Sequence, residues 1–113
     1  MTKLVVMYPW PKDPEHFRQH YLTRHLPLCR AIPGILASHY TFEPQTIQGS
    51  GRWFCIFEAE FADQAALKAA LATPEAQQAT ADVANYSPDL PTLLVYELRP
   101  VKESVSGQAR ISS

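Results

Sequence analysis

Two strand-length segments near opposite ends of the chain, Leu4–Tyr8 and Thr92–Leu98, carry apolar side chains on both of their alternating sets. A strand with one solvated face alternates apolar with polar, so each of these segments calls for cover on both sides. The middle of the chain behaves differently. From Arg52 to Phe61 one parity reads Trp53, Cys55, Phe57, Ala59 and Phe61, while the other holds Glu58 and Glu60. With 113 residues, 46% hydrophobic and 19% charged, the sequence supplies the apolar mass for one core and no room for a second domain.

Proline and capping residues divide the rest. The first strand stops at Pro9-Trp10-Pro11, and Asp13-Pro14-Glu15 opens a helix with a cap, a proline at the first helical position and an acidic first turn. Phe17, Tyr21 and Leu28 form its apolar stripe, with His25 at the border, and Pro27 must kink or end it. Ile32-Pro33-Gly34 is a turn, Ile35–Phe42 a second strand, and Pro44–Gly51 a loop before the third strand. Asp63 caps a second helix through Ala72, and Thr73-Pro74-Glu75 starts a third that runs through Asp82 to about Asn85. The order β-α-β-β-α(α)-β predicts an α+β fold, a ferredoxin-like sandwich with a four-stranded antiparallel sheet. Its helices cover one face. The apolar remainder predicts a second copy on the other, a face-to-face homodimer.

Charge and cysteine usage narrow the partners. A formal net charge of −1 without a like-charge block lacks the footprint of nucleic-acid binding. Cys29 and Cys55 form neither a CxxC pair nor a disulfide framework, which fits free thiols in a reducing, cytoplasmic setting. The opening apolar run is too brief for a signal-peptide core, and no segment approaches the ~18 apolar residues of a membrane span.

The first helix concentrates His16, His20 and His25. His16 and His20 are four apart but lack the glutamate of an HExxH site, and no metal or cofactor is expected. On a wheel of about 100° per residue His16 reads as solvent-facing and His20 as flanking. His25 borders the buried stripe one turn after Tyr21. It is either a general acid or base with the tyrosine hydroxyl as second donor, or a structural histidine satisfied by a carbonyl that Pro27 frees. His39 shares the parity of Ile35, Ala37 and Thr41, pointing either into a pocket or at the dimer seam. Cys29 reads as a buried, inert thiol. Tyr40, Trp53 and Phe57 could line an aromatic pocket, and Asp82 and Asn85 close the third helix as polar residues.

In combination, Phe17, Tyr21, His25, Pro27 and Leu28 in HFRQHYLTRHLPL, IPGI at Ile32–Ile35 and ATPEAQQATADVANY at Ala72–Tyr86 resemble the EthD family, over about residues 3–99. Ala76 stands where the family often has glycine, and Tyr86 where phenylalanine is common. The resemblance implies a domain over residues 1–99, a polar tail over 100–113, and a protomer that forms a dimeric α/β barrel with its twin. It places the family's histidine on His25 and its aromatic partner on Tyr21. The implied pocket lies between sheet and helices, with His39 and Asp82 within reach of His25. The implied function is a cofactor-independent enzyme using histidine acid–base chemistry on a small hydrophobic carbonyl or phenolic compound, of isomerase, lyase or cyclase type. The alternatives are a non-catalytic binding protein of a degradation system and a monooxygenase.

Overall fold

The computed structural model describes residues 1–102. Strand β1 (Thr2–Tyr8) ends where Pro9 has no amide hydrogen for the ladder. Helix α1 (Pro14–His20) starts as its residues dictate: the Asp13 carboxylate accepts from the His16 amide at 3.1 Å, and Pro14 occupies the first turn. A π-helical turn (Tyr21–His25) and the short helix α2 (Leu26–Arg30) continue the same rod. Gly34 makes the next turn with φ of +89°, a left-handed conformation that favours glycine. Strands β2 (Ala37–Phe42) and β3 (Cys55–Phe61) follow. Helix α3 (Gln64–Leu71) is capped by Asp63 and helix α4 (Pro74–Asp82) by Thr73. A 3-10 turn (Val83–Asn85) leads towards β4 (Thr92–Glu97). No helix among the described residues is long and apolar enough to cross a membrane. Of the tail expected from residue 100, residues 103–113 lie outside the described residues.

The sheet has the order β2-β3-β1-β4, every neighbouring pair antiparallel, as a ferredoxin-like sandwich requires. The barrel is not formed. β2 and β4 stand at opposite edges of an open sheet, and four strands are too few to bring those edges together.

Register sorts the strand residues by face. Leu4 lies opposite Ala59 and Val95, and Val6 opposite Phe57 and Leu93, on the face the helices cover. The open face takes Val5 with Glu58 and Leu94, Lys3 with Glu60 and Tyr96, and His39 beside Glu58. There Lys3 Nζ bridges Glu58 at 3.0 Å and Glu60 at 3.6 Å. The helices reach β1 and β3 but leave β4 bare on both sides: Leu93 is 57% exposed and Leu94 45%.

Each strand shifts at one end from the sequence pattern, with β1 starting at Thr2, β2 at Ala37 and β4 ending at Glu97, and the third strand shifts furthest. β3 begins at Cys55, and Phe54 rather than Trp53 enters the core. The chain twists before the ladder starts because Phe54 fills the space against Trp10 and Phe17, each ring 4.9 Å away, with the Arg18 guanidinium 5.2 Å above it. Adjacent buried residues, Phe54 and Cys55, cannot both belong to a regular strand's inner set.

Candidate functional site

Pro27 shapes the site without touching it. Proline inside a helix removes one donor and clashes with the preceding turn, and here the chain widens over Tyr21–His25, with the Leu26 amide donating to the Tyr21 carbonyl five residues back. At α-helical spacing, residues five apart are ~140° apart around the axis. The wider turn brings them back over one another, so His20 and His25 both reach the carboxylate of Asp82 at the end of α4. His20 Nε2 lies 2.8 Å from Oδ1 and His25 Nδ1 3.1 Å from Oδ2. Asn85 Nδ2 donates to Oδ1 at 2.9 Å, and His16 Nε2 meets the Asn85 carbonyl at 3.1 Å. Three histidines of one rod are thus tied to the end of α4.

The environment sets the protonation of this group. Burial works against the Asp82 charge, but hydrogen bonds from Asn85, His20 and His25 outweigh it and hold the carboxyl below its usual range. Burial pushes His25 below 6.5; the hydrogen bond and charge of Asp82 pull the other way without overcoming it, and His20 lowers it further. His25 is therefore neutral at pH 7. Because a carboxylate only accepts, the one ring proton sits on Nδ1 and leaves a lone pair on Nε2. Aromatic rings fix the imidazole from two sides: Tyr21 stacks at 5.3 Å and 26°, and Tyr86 lies 4.8 Å away. Tyr86 also stacks on His20 at 5.5 Å, and its hydroxyl is 2.8 Å from that of Tyr8. Burial raises the pKa of Tyr8, Tyr21 and Tyr86, so all three stay protonated.

His25 lines a cavity of about 400 Å³ between the sheet and the helical layer. Leu4, Val6, Tyr8, Phe57 and Leu93 form the sheet side, Cys29 and the inner face of α4 the helical side, and Ser87, Pro88, Leu90 and Pro91 the rim. The Cys29 thiol is pushed up to about 11 by burial and is not a thiolate at neutral pH. No three His, Cys, Asp or Glu side chains among the described residues converge in a way that could hold a metal ion.

Of the residues singled out from the sequence, the structure places His25 and Phe57 on the cavity wall, with Asp82 behind His25 and off the wall. Tyr21 is close but sealed. It is fully buried, and its hydroxyl is the one buried side-chain polar atom without a partner among the described residues, so it packs His25 and does not reach the cavity wall. Tyr40 lies on the covered face against Tyr21 and Phe42, outside the cavity. Trp53 lines a different hollow of about 510 Å³ among the loops, with Trp10 and Arg52. His39 is on the open face, so the His25–His39 juxtaposition does not form: its neighbour Tyr40 faces the helices, and alternation sends His39 the other way. His20, Asn85 and Tyr86 enter the site, although regular helix geometry puts His20 only on the flank of the buried stripe and Asn85 reads as a polar residue closing the third helix. The signal for His20 was Pro27.

Known proteins resemble this chain in sequence and in fold. The EthD domain family matches residues 11–88, a span that holds the three helical histidines, Asp82 and Tyr86. An uncharacterized 11.0 kDa protein from the thcB-thcC intergenic region of Rhodococcus erythropolis is 30% identical over 95 residues, 83% of this chain and 91% of its own. The crystal structure of an EthD family protein from Bacillus halodurans superposes with a TM-score of 0.80 at 29% identity, over 88% of this chain and 99% of the other. A dimeric ferredoxin-like protein from Thermobifida fusca superposes with a TM-score of 0.65 at 17% identity, over 86% and 90% of the two chains.

Proposed function

This chain belongs to the EthD family, and from that premise we propose that it binds a small, largely apolar molecule in the cavity beside His25, as a binding component of a degradation system. The observation that carries the reading is the contrast within the cavity wall: aliphatic and aromatic carbon, with an oriented, neutral imidazole set into it. A ring-nitrogen NMR titration with small phenols, lactones and polyketide-like aromatics tests it. The expected result is a ligand-dependent shift at His25 with His39 unmoved; a His25 resonance indifferent to every compound, with none bound, would end the proposal.

One observation favours a second, catalytic reading. Asp82 pins the proton on Nδ1 and leaves Nε2 as a base, the arrangement that proton abstraction from a carbonyl or phenolic substrate needs. An isomerase, lyase or cyclase of this kind would lose turnover in His25→Gln while retaining ligand binding. Its rate would rise with pH through a transition below 6.5, because the reactive form is the neutral imidazole.

We also propose that the protein works as a homodimer through the open face of the sheet. Val5, Met7, Leu94 and Tyr96 give that face an apolar centre, and the Thermobifida fusca relative is itself dimeric. Light scattering after size exclusion should return twice the 12.7 kDa of the chain.

A further inference from the structure

Most side-chain hydroxyls of the cavity wall already have a partner, and the imidazole among them presents an acceptor. Thr80 Oγ1 donates its proton to the Ala76 carbonyl at 2.9 Å, and Ser87 Oγ donates to the Asp89 carbonyl at 2.7 Å. The Tyr8 and Tyr86 hydroxyls share one hydrogen bond at 2.8 Å, in which either donates. His25 commits its ring proton to Asp82 and turns a lone pair outward: Nε2 has no partner among the described residues and is not among the sealed atoms. The Cys29 thiol is only a weak donor. No Lys, Arg, Asp or Glu lines the wall, so nothing there neutralises an ionic ligand.

Each ligand chemistry meets this wall differently. A carboxylate would leave water for a site without a counter-charge, with the Asp82 carboxylate directly behind His25. A molecule whose only polar atom is an ether or ketone oxygen offers no proton to Nε2 and leaves it unpaired. A hydroxyl that donates satisfies Nε2 and loses nothing.

Resting on the reading of this cavity as a small-molecule site, we propose that its ligand is an uncharged apolar compound bearing a hydrogen-bond donor, a phenol- or enol-type hydroxyl, that is received by His25 Nε2.

Three probes of one shape separate the cases: 2-naphthol, 2-methoxynaphthalene and 2-naphthoate, titrated calorimetrically into the full chain at about pH 8, where a free imidazole is neutral. The naphthol is expected to bind roughly fivefold to tenfold tighter than the methyl ether, the gain of one hydrogen bond, with the naphthoate weakest. In His25→Phe the naphthol and the ether should bind within about twofold of each other, because no acceptor remains to tell them apart. Nitrogen-15 shifts of the wild-type ring should show Nδ1 protonated and Nε2 bare, a readout that needs no variant to fold. If the ether binds as well as the naphthol, or the naphthoate binds tightest, the donor assignment is overturned and the cavity remains a binding site. If none of the three binds to folded protein, the small-molecule reading falls and this inference with it.

Discussion

The two faces of the sheet are built from alternate residues of the same strands, yet they solve different problems. On the covered face, rings interlock beside the cavity: Phe17 touches Tyr8, Tyr21, Phe54 and Tyr86, all within 5.6 Å between centroids. The polar His20–His25–Asp82 knot is set at the edge of that lattice. On the open face, Lys3 and two glutamates form an ionic strip beside an apolar patch at Val5, Leu94 and Tyr96. The covered face is held by packing within the chain and specifies the protomer. The open face contributes little to the protomer, and what it holds is available to a second copy.

The largest effect should come from the centre of the lattice. Phe17 is fully buried, and Phe17→Ala should cost about 3–5 kcal/mol in urea unfolding, since the surrounding rings cannot collapse into the gap. A loss below about 1 kcal/mol would mean that the rings repack and that the face is not a jigsaw.

Breaking the polar knot should cost less but change more. Asp82→Ala leaves the buried His25 Nδ1–H without its acceptor, for roughly 1–3 kcal/mol, and frees the ring to exchange tautomers. The sharper readout is ligand choice: preference for a hydroxyl over its methyl ether should fade even where binding survives.

How far each face was legible follows from the same comparison. Element order, the Asp13, Asp63 and Thr73 caps and the antiparallel sandwich follow from local chemistry, because each signal acts within a turn of where it is written. The Asp82 knot was only half legible. Helix periodicity places His25 at the buried edge, but Pro27 widens the turn, and a wheel drawn for a regular helix then misplaces His20. Strand parity likewise fails at Phe54, where packing against Trp10 and Phe17 overrides alternation. The apolar segment Thr92–Leu98 signalled two covered faces, whereas within one chain β4 has neither. Strand parity records that a face calls for cover and not which molecule provides it.

A pH scan sharpens the contrast further. His25 has its pKa lowered by folding, so below 6.5 the unfolded chain binds a proton that the folded one resists. Stability therefore rises with pH through the window that ends near 6.5, is fully present above it, and is lost on acidification. Asp82 acts in the same direction at lower pH: its depressed pKa gives stability that is present above 3.8 and lost as pH falls through the folded value. His25→Gln should flatten the first of these steps and retain the part of the second that Asn85 and His20 hold. A variant with an unchanged slope between pH 5 and 6.5 would assign the step to another group.

The smallest effect on the protomer, and the one that most directly tests the comparison, belongs to the open face. Leu94 is 45% exposed in the single chain, so Leu94→Asp removes little that folding buries and should move protomer stability by no more than about 0.5 kcal/mol. In a dimer closed through this face, the same change sets a charge into the apolar centre of each copy, and symmetry repeats it on both sides of the contact. The expected outcome is a particle of half the mass in light scattering, with unfolding measured at low concentration nearly unchanged. Because association stabilises the folded chain by mass action, the two proteins should diverge as concentration rises, with wild type gaining and Leu94→Asp staying level. A wild type that is monomeric and indifferent to concentration would remove the division between the faces, for Leu94 and Tyr96 would then stand exposed with nothing to cover them.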